Sequence, residues 1–258
     1  MIVKKYRSTL VALSLAVLIP FSAQATVVEV RTVLGNVQIN LFDDTTPASV
    51  DNFLVNYVGA GAYANNVVHR SVSGFVVQAG GFQYNGQIPL DAVPAGTPVV
   101  NEPVLSNLRG TVAMAKIGGD PNSATSQWFF NISNNSGNLD AQNGGFTVFG
   151  QVIGDGMQVV DAIAAIPRYN TGGAFTSLPL RDYDGSSDIG EQNLVLISDV
   201  VVIDSTTVTN PQLNPARNTS NTPSTPSNAG DSGSGGGGSV TWLLTMLGFV
   251  LLCKRQDI

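Results

Sequence analysis

The sequence has one cysteine and one histidine in 258 residues. The cysteine, Cys253, stands near the C-terminus among apolar residues. The chain before it therefore has no disulfide, no thiol nucleophile and no cysteine metal ligand. His69 is the only histidine, and no nucleophile-elbow pattern accompanies it, so a Ser-His-Asp hydrolase has no support. Charge is sparse and one-sided, with 12 basic residues against 18 acidic. Setting aside Lys4, Lys5, Arg7, Lys254, Arg255 and Asp257 leaves 7 basic and 17 acidic residues. Such a surface repels a phosphate backbone and excludes a nucleic-acid partner. Asp182, Asp184 and Asp188 do not form a calcium loop: Gly185 is in the wrong place, and Asn193 stands where the bidentate Glu belongs. They read as an acidic turn. No internal repeat is present.

Both ends read as segments apart from the fold. Residues 1–25 have the form of a secretory signal peptide. Lys4, Lys5 and Arg7 are its positive region, residues 10–19 its apolar stretch, and Ala23-Gln24-Ala25 its small-x-small cleavage site. The other reading is an uncleaved N-terminal anchor. Residues 205–239 are almost purely Ser, Thr, Asn, Pro and Gly, which predicts a disordered tether. Residues 240–258 are a short hydrophobic tail with a basic end. Its apolar part, 240–253, is 14 residues long. At about 1.5 Å per residue it makes roughly 21 Å of helix, against about 30 Å of bilayer core. Gly235–Gly238, the short apolar run, Lys254 and Arg255 together resemble the GlyGly C-terminal sorting signals of Gram-negative bacteria. In that class an intramembrane protease removes the tail; a permanent inner-membrane anchor is the other reading. The expectation is an exported protein, periplasmic or at the cell surface, held to a membrane by its tail unless cleaved.

Residues 26–204 remain as one domain. Val28, Val30 and Thr32 alternate with Glu29 and Arg31, and Val37, Ile39 and Leu41 with Gln38 and Asn40. Leu34-Gly35-Asn36 between them predicts a hairpin turn. Further β-rich runs lie at 67–68, 75–77, 111–115, 128–132, 146–149 and 194–203. Thr46-Pro47 predicts a helix start. Val50, Phe53, Leu54, Tyr57 and Val58 form one buried helical face ended by Gly59 and Gly61. A second helix is predicted from about Met157 to Ile166, stopped by Pro167. Many short strands with two separated helices predict a mostly β fold, a closed antiparallel β-barrel capped by two α-helices.

The run Val68-His69-Arg70-Ser71-Val72-Ser73-Gly74-Phe75-Val76-Val77-Gln78-Ala79-Gly80-Gly81-Phe82 carries the chemistry. It resembles the cyclophilin signature of Phe-His-Arg, a short turn, Gly-Phe, two apolar residues, Gln-Gly-Gly and an aromatic. Arg109-Gly110-Thr111-Val112-Ala113-Met114-Ala115 resembles the same family's Gly-x-x-Ser/Ala-Met-Ala strand. Ser126-Gln127-Trp128-Phe129-Phe130 resembles its Ser-Gln-Phe-Phe-Ile. Leu139-Asp140 and Phe146-Thr147-Val148-Phe149-Gly150 resemble the end of its pocket wall. The resemblance covers nearly all of 26–204.

That resemblance implies an eight-stranded closed barrel and a peptidyl-prolyl cis–trans isomerase. It implies no cofactor and no metal, because twisting an amide breaks no covalent bond. By resemblance, Arg70, Phe75 and Gln78 are catalytic. Arg70 donates around the prolyl amide, and Gln78 orients it or binds substrate backbone. Phe75, Val76, Phe129 and Leu139 line the proline slot. His69, Ala115, Lys116, Gln127 and Phe146 complete the substrate-binding set, with Lys116 at a position where family members vary. His69 lies at the pocket edge without a proton-transfer role. The implied partners are proline-containing segments of exported proteins, met by a monomer. A catalytically weak binder of proline segments is the competing reading. Asn138 departs from the indole or other aromatic that many relatives have before Leu139-Asp140, which implies weak cyclosporin inhibition. Residues 141–145 look like a small bacterial-type loop insertion.

Overall fold

The structure, a computed structural model, describes residues 26–206, 210 and 212–220. The expected signal peptide 1–25 and the apolar tail 240–258 lie outside the described residues. No helix of the described residues is long and apolar enough to cross a membrane.

The first hairpin follows its alternation. Strand β1 (Val27–Thr32) pairs antiparallel with β2 (Gly35–Leu41), placing Val28 opposite Ile39 and Val30 opposite Val37. All four are fully buried, since a period of two sends every second side chain to one face. The turn itself sits at Val33 and Leu34, and Gly35 opens β2 at φ +131°.

The other strands are short. They are β3 (Asn66–Val67), β4 (Arg70–Val72), β5 (Val76–Ala79), β6 (Phe82–Gln83), β7 (Asp91–Ala92), β8 (Thr111–Met114), β9 (Trp128–Asn131) and β10 (Val148–Ile153). After them come β11 (Arg168–Tyr169), β12 (Leu178–Pro179) and β13 (Leu196–Asp204). Eleven of these form one sheet in the order β4-β5-β9-β8-β10-β2-β1-β13-β3-β6-β7, and β11 pairs with β12 apart from it. Every pairing is antiparallel. This differs from the expected closed barrel of eight strands. The terminal strands β4 and β7 are not paired with each other. The sheet curls because one stretch of chain serves both of its ends: β3 pairs with β13 and β6, and three residues later β4 pairs with β5.

Two predicted helices are present, with one change of winding. Helix α1 (Pro47–Asp51) continues over Asn52–Val58 in a wider π-type coil, closed by Gly59 N–H donating to Leu54 O at 2.7 Å. Val50, Phe53 and Tyr57 are buried, as the spacing predicts. Thr46 does not cap the helix with its side chain. Glu102, distant in sequence, accepts instead from Ala48 N (3.2 Å), Ser49 N (2.9 Å) and Ser49 Oγ (2.8 Å). Helix α2 (Ser136–Leu139) is a single turn that no periodicity announced. Helix α3 (Gly156–Ala165) buries Val160 and Ile163 and packs against β2.

The main core lies inside the curled sheet. Phe53 meets Tyr63, Trp128 and Phe149 at ring-centroid distances of 5.4, 6.1 and 5.1 Å, and Trp128 meets Phe130 edge-on at 5.1 Å. Such tilted and T-shaped pairs add to the gain from burial.

The predicted tether does not leave the domain at residue 205. Of its described residues, 212–220 run back over the surface. Ser106 N donates to Ala216 O at 2.9 Å, and Asn218 N donates to Val104 O at 2.9 Å. Arg217 thereby faces Leu105 in an antiparallel bridge. Backbone hydrogen bonds hold this polar stretch where side-chain hydrophobicity does not.

Candidate active site

Alternation along β5, β9 and β8 divides their side chains between two faces. Val77, Ala79, Trp128, Phe130, Val112 and Met114 join the main core. Their neighbours Val76, Phe129 and Ala113 turn to the opposite face and form a second apolar cluster with Phe42, Leu105, Ala115, Leu139, Phe146 and Val148. Phe75 packs half-buried against it. The predicted slot residues Phe75, Val76, Ala115, Phe129, Leu139 and Phe146 are thus brought together. Phe129 and Phe146 meet edge-on at 5.9 Å. A shallow depression opens above this cluster, lined by Phe75, Lys116, Gly118, Leu139, Gln142, Asn143 and Phe146.

The polar members stand in one cross-strand row. Arg70 on β4 pairs with Gln78 on β5, and Gln78 with Phe129 on β9. Arg70 Nη1 donates to Gln78 Oε1 at 3.2 Å, and Gln78 Nε2 donates to Gln127 Oε1 at 2.9 Å. The relay orients one edge of the guanidinium. Partial burial lowers the Arg70 pKa from its ordinary value, yet the group stays cationic. Two glycines make room for the relay. A Cβ on Gly80, at φ +84°, would lie 2.3 Å from Ser126 O. A Cβ on Gly81 would lie 2.8 Å from the Gln127 side chain. Neither place tolerates a side chain without moving β9 or the relay.

Two predicted substrate contacts are placed differently. His69 is 2% exposed, with its ring edge-on to Phe82 at 5.0 Å, so it does not border an open groove. Burial pushes its pKa down to about 4, which keeps the imidazole neutral at ordinary pH. Lys116 is buried, and its ammonium turns to the 141–145 loop. Nζ donates to Asn143 O at 2.9 Å and Gly145 O at 2.6 Å, and lies 4.7 Å from the centre of the Phe146 ring. Burial lowers its pKa to about 8. The lysine holds a wall of the slot.

Sequence reasoning missed the buried amides that set the slot's geometry. Asn135 Nδ2 donates to Phe75 O (2.9 Å) and Asn131 Oδ1 (2.7 Å). Asn131 Nδ2 donates to Asn107 Oδ1 (3.2 Å), and Asn107 Nδ2 to Asp140 Oδ1 (3.0 Å) and Phe146 O (3.1 Å). Leu139 N donates to Asn135 O at 2.8 Å, which seats α2 on the same network. Their only signal in the sequence was an unusual run of asparagines at 131–143. Asn138 is exposed on α2, so no aromatic ring closes that side. Asp184, in the acidic turn, accepts from Ser186 N, Ser187 N and Ser187 Oγ within its own loop.

Comparison with known proteins agrees with this geometry. A peptidyl-prolyl cis-trans isomerase of Acinetobacter baylyi is 41% identical over 148 residues, covering 57% of this chain and 76% of that protein. Peptidyl-prolyl cis-trans isomerase B of Escherichia coli is 38% identical over 142 residues, covering 54% and 84%. A crystal structure of a cyclophilin type isomerase from Cryptosporidium parvum shares the fold, with TM-score 0.51 at 23% identity, covering 70% of this chain and 99% of that one. The family described as cyclophilin type peptidyl-prolyl cis-trans isomerase/CLD matches residues 27–181. With more than half of its length inside that match, and with the slot and the arginine relay on one sheet face, the chain belongs to the cyclophilin type peptidyl-prolyl cis-trans isomerase family and is an enzyme of that class.

Proposed function

We propose that this isomerase acts on X–Pro bonds of exported proteins, with Arg70 stabilising the twisted amide while the Phe75–Phe129–Leu139–Phe146 cluster grips the proline ring. Rotation about the peptide bond costs about 18–20 kcal/mol, because twisting removes amide resonance. The lost resonance leaves a lone pair on the prolyl nitrogen and changes the charge on the carbonyl oxygen. An apolar slot binds the ring equally in flat and twisted states, which aids binding but not turnover. A cationic donor that meets the amide better when it is twisted lowers the barrier. Each 1.4 kcal/mol of that difference gives about tenfold in rate.

The observation that carries this reading is the relay that fixes Arg70 beside the slot: Arg70 to Gln78 at 3.2 Å, Gln78 to Gln127 at 2.9 Å. Partial burial of the guanidinium strengthens its field at the amide. No proton need be transferred, which suits a neutral, buried His69. Support for the exported setting comes from the sequence at its two ends: the basic, apolar and Ala-x-Ala regions of 1–25, and the Gly run, apolar tail and basic end beyond 234. Slow prolyl isomerisation limits the folding of exported chains, and the enzyme relieves that step.

Turnover of a short Ala-Pro-Phe peptide tests the mechanism. Arg70→Ala is expected to lower kcat/KM about a hundredfold, or about 2.7 kcal/mol of transition-state stabilisation. Arg70→Lys keeps the charge, loses the planar fork and recovers only part. An Arg70→Ala enzyme within about threefold of the parent would sink the arginine mechanism.

A further inference from the structure

We infer that the segment 216–218 is a positioning element of the proline slot, with Asn218 as its central residue, so that part of the presumed tether belongs to the active site. The segment lies beyond the family match, which ends at residue 181. It touches the slot's two rear supports at once. Its backbone brackets Leu105 through Ser106 N to Ala216 O and Asn218 N to Val104 O, each 2.9 Å. Leu105 is 2% exposed and belongs to the slot cluster. Its side chain, Asn218 Nδ2, donates to Asp140 O at 2.8 Å. Asp140 follows Leu139, the slot wall, directly in the chain.

The two supports are already joined beneath the strap. The Asp140 carboxylate accepts from Ser106 Oγ, from Asn107 N at 2.8 Å and from Asn107 Nδ2 at 3.0 Å. Residues 104–107 and α2 have little regular structure of their own. Segment 104–107 holds only an isolated bridge, and α2 is four residues long. Short elements of this kind open locally at low cost. A further segment laid across both removes that freedom. Farther back, Asn210 Nδ2 donates to Asn40 Oδ1 on β2 at 2.9 Å, so the strap is fastened before it reaches the slot. Leu139 touches the ring in flat and twisted amides alike. Loosening it therefore weakens binding of both states, and the signature is a raised KM with kcat preserved. Arg70 acts on kcat, which separates the two roles.

This inference rests on the slot assignment above, and the test separates their failures. In the full-length protein, Asn218→Pro removes the N–H donated to Val104 and the amide donated to Asp140; Asn218→Ala removes only the latter. Kinetics on the Ala-Pro-Phe peptide and amide hydrogen exchange are read on both variants, well below their melting temperatures. For Asn218→Pro we expect KM up by about three- to tenfold with kcat within about twofold. Exchange at Leu139, Asp140 and Phe146 rises more than about tenfold, with amides of β1 and β2 unchanged. Asn218→Ala shows the same pattern at smaller size, and it serves if the proline variant does not fold. A folded variant with unchanged KM, or unchanged exchange at Leu139 and Phe146, overturns the inference even where the parent is active. A parent without turnover overturns the slot reading instead, and the exchange data still decide whether the strap holds α2.

Discussion

Strands β5, β9 and β8 carry apolar side chains on both faces, and the two faces meet different fates. On one, Val77, Ala79, Trp128, Phe130, Val112 and Met114 lie under Phe53, Tyr57 and Tyr63 and beside Phe149. On the other, Val76, Phe129, Ala113 and Ala115 lie with Leu139, Phe146 and half-buried Phe75. Composition does not separate them; what covers them does. The inner face is roofed by α1 and its π-type continuation, which presents Phe53 and Tyr57 to it. The outer face is roofed by a four-residue helix, a loop held by Lys116, and a strap from the C-terminal region. A long amphipathic roof seals a core, whereas a patchwork leaves a depression. The row Arg70–Gln78 lies on the outer face, where the two side chains hydrogen-bond each other.

The division can be broken most decisively on the inner face. Phe130→Ala should cost about 3–5 kcal/mol in urea unfolding, since it empties a fully packed site. Activity per folded molecule should stay within about twofold of the parent. A folded but inactive Phe130→Ala enzyme would show that the faces are not independent.

His69 and Arg70 are adjacent yet differ in role, and pH separates them. Burial holds His69 at about 4 in the folded chain, below the ordinary 6.5. Between those values the folded chain binds fewer protons than the unfolded one. Stability is therefore complete above pH 6.5 and is lost as pH falls toward 4, by at most about 3 kcal/mol. His69→Gln should flatten that loss in urea titrations at pH 7 and pH 4.5. Activity should be level from about pH 5 to 7 because neither residue titrates there.

On the outer face, Phe75→Ala should lower kcat/KM about tenfold, or about 1.4 kcal/mol. Its half-buried ring should contribute only about 1 kcal/mol to stability. Equal losses of activity and stability in Phe75→Ala and Phe130→Ala would erase the distinction.

The smallest effect is expected at Lys116. Lys116→Met should cost about threefold in kcat/KM through a looser loop. Its folded pKa of about 8 lies below the ordinary 10.5, so the folded chain binds fewer protons between them. Stability should rise modestly with pH across that window in the parent and not in Lys116→Met. A parent whose stability falls from pH 8 to 10 in the same comparison would contradict the burial of this amine.

Much of this was legible in advance. The β1–β2 alternation, the Thr46-Pro47 start and the 50–58 spacing each have a local cause, and each element appears where that cause puts it. The Gly80-Gly81 pair and the Arg70-to-Gln78 spacing were visible through the resemblance to the cyclophilin signature. The π-type winding, the Glu102 cap and the asparagine network were not legible. The cap and the network depend on groups far apart in the chain: Glu102 reaches Ser49 across 53 residues, and Asn135 reaches Phe75 across 60. The orientation of Lys116 was also hidden, since its acceptors are backbone carbonyls that any residue could provide.

The sequence by itself determined the strand and helix periods, because these follow from spacing and residue type along a short stretch, and the resemblance of its motifs to a known family pointed to the slot residues and the arginine. Only the tertiary structure decided which face became core and which stayed open. It also decided that His69 is sealed in and that residues 216–218 return to brace Leu105 and Asp140. Those outcomes depend on which distant segment covers a surface. A polar segment such as 216–218 docks through backbone N–H and C=O groups, which every sequence carries and none advertises.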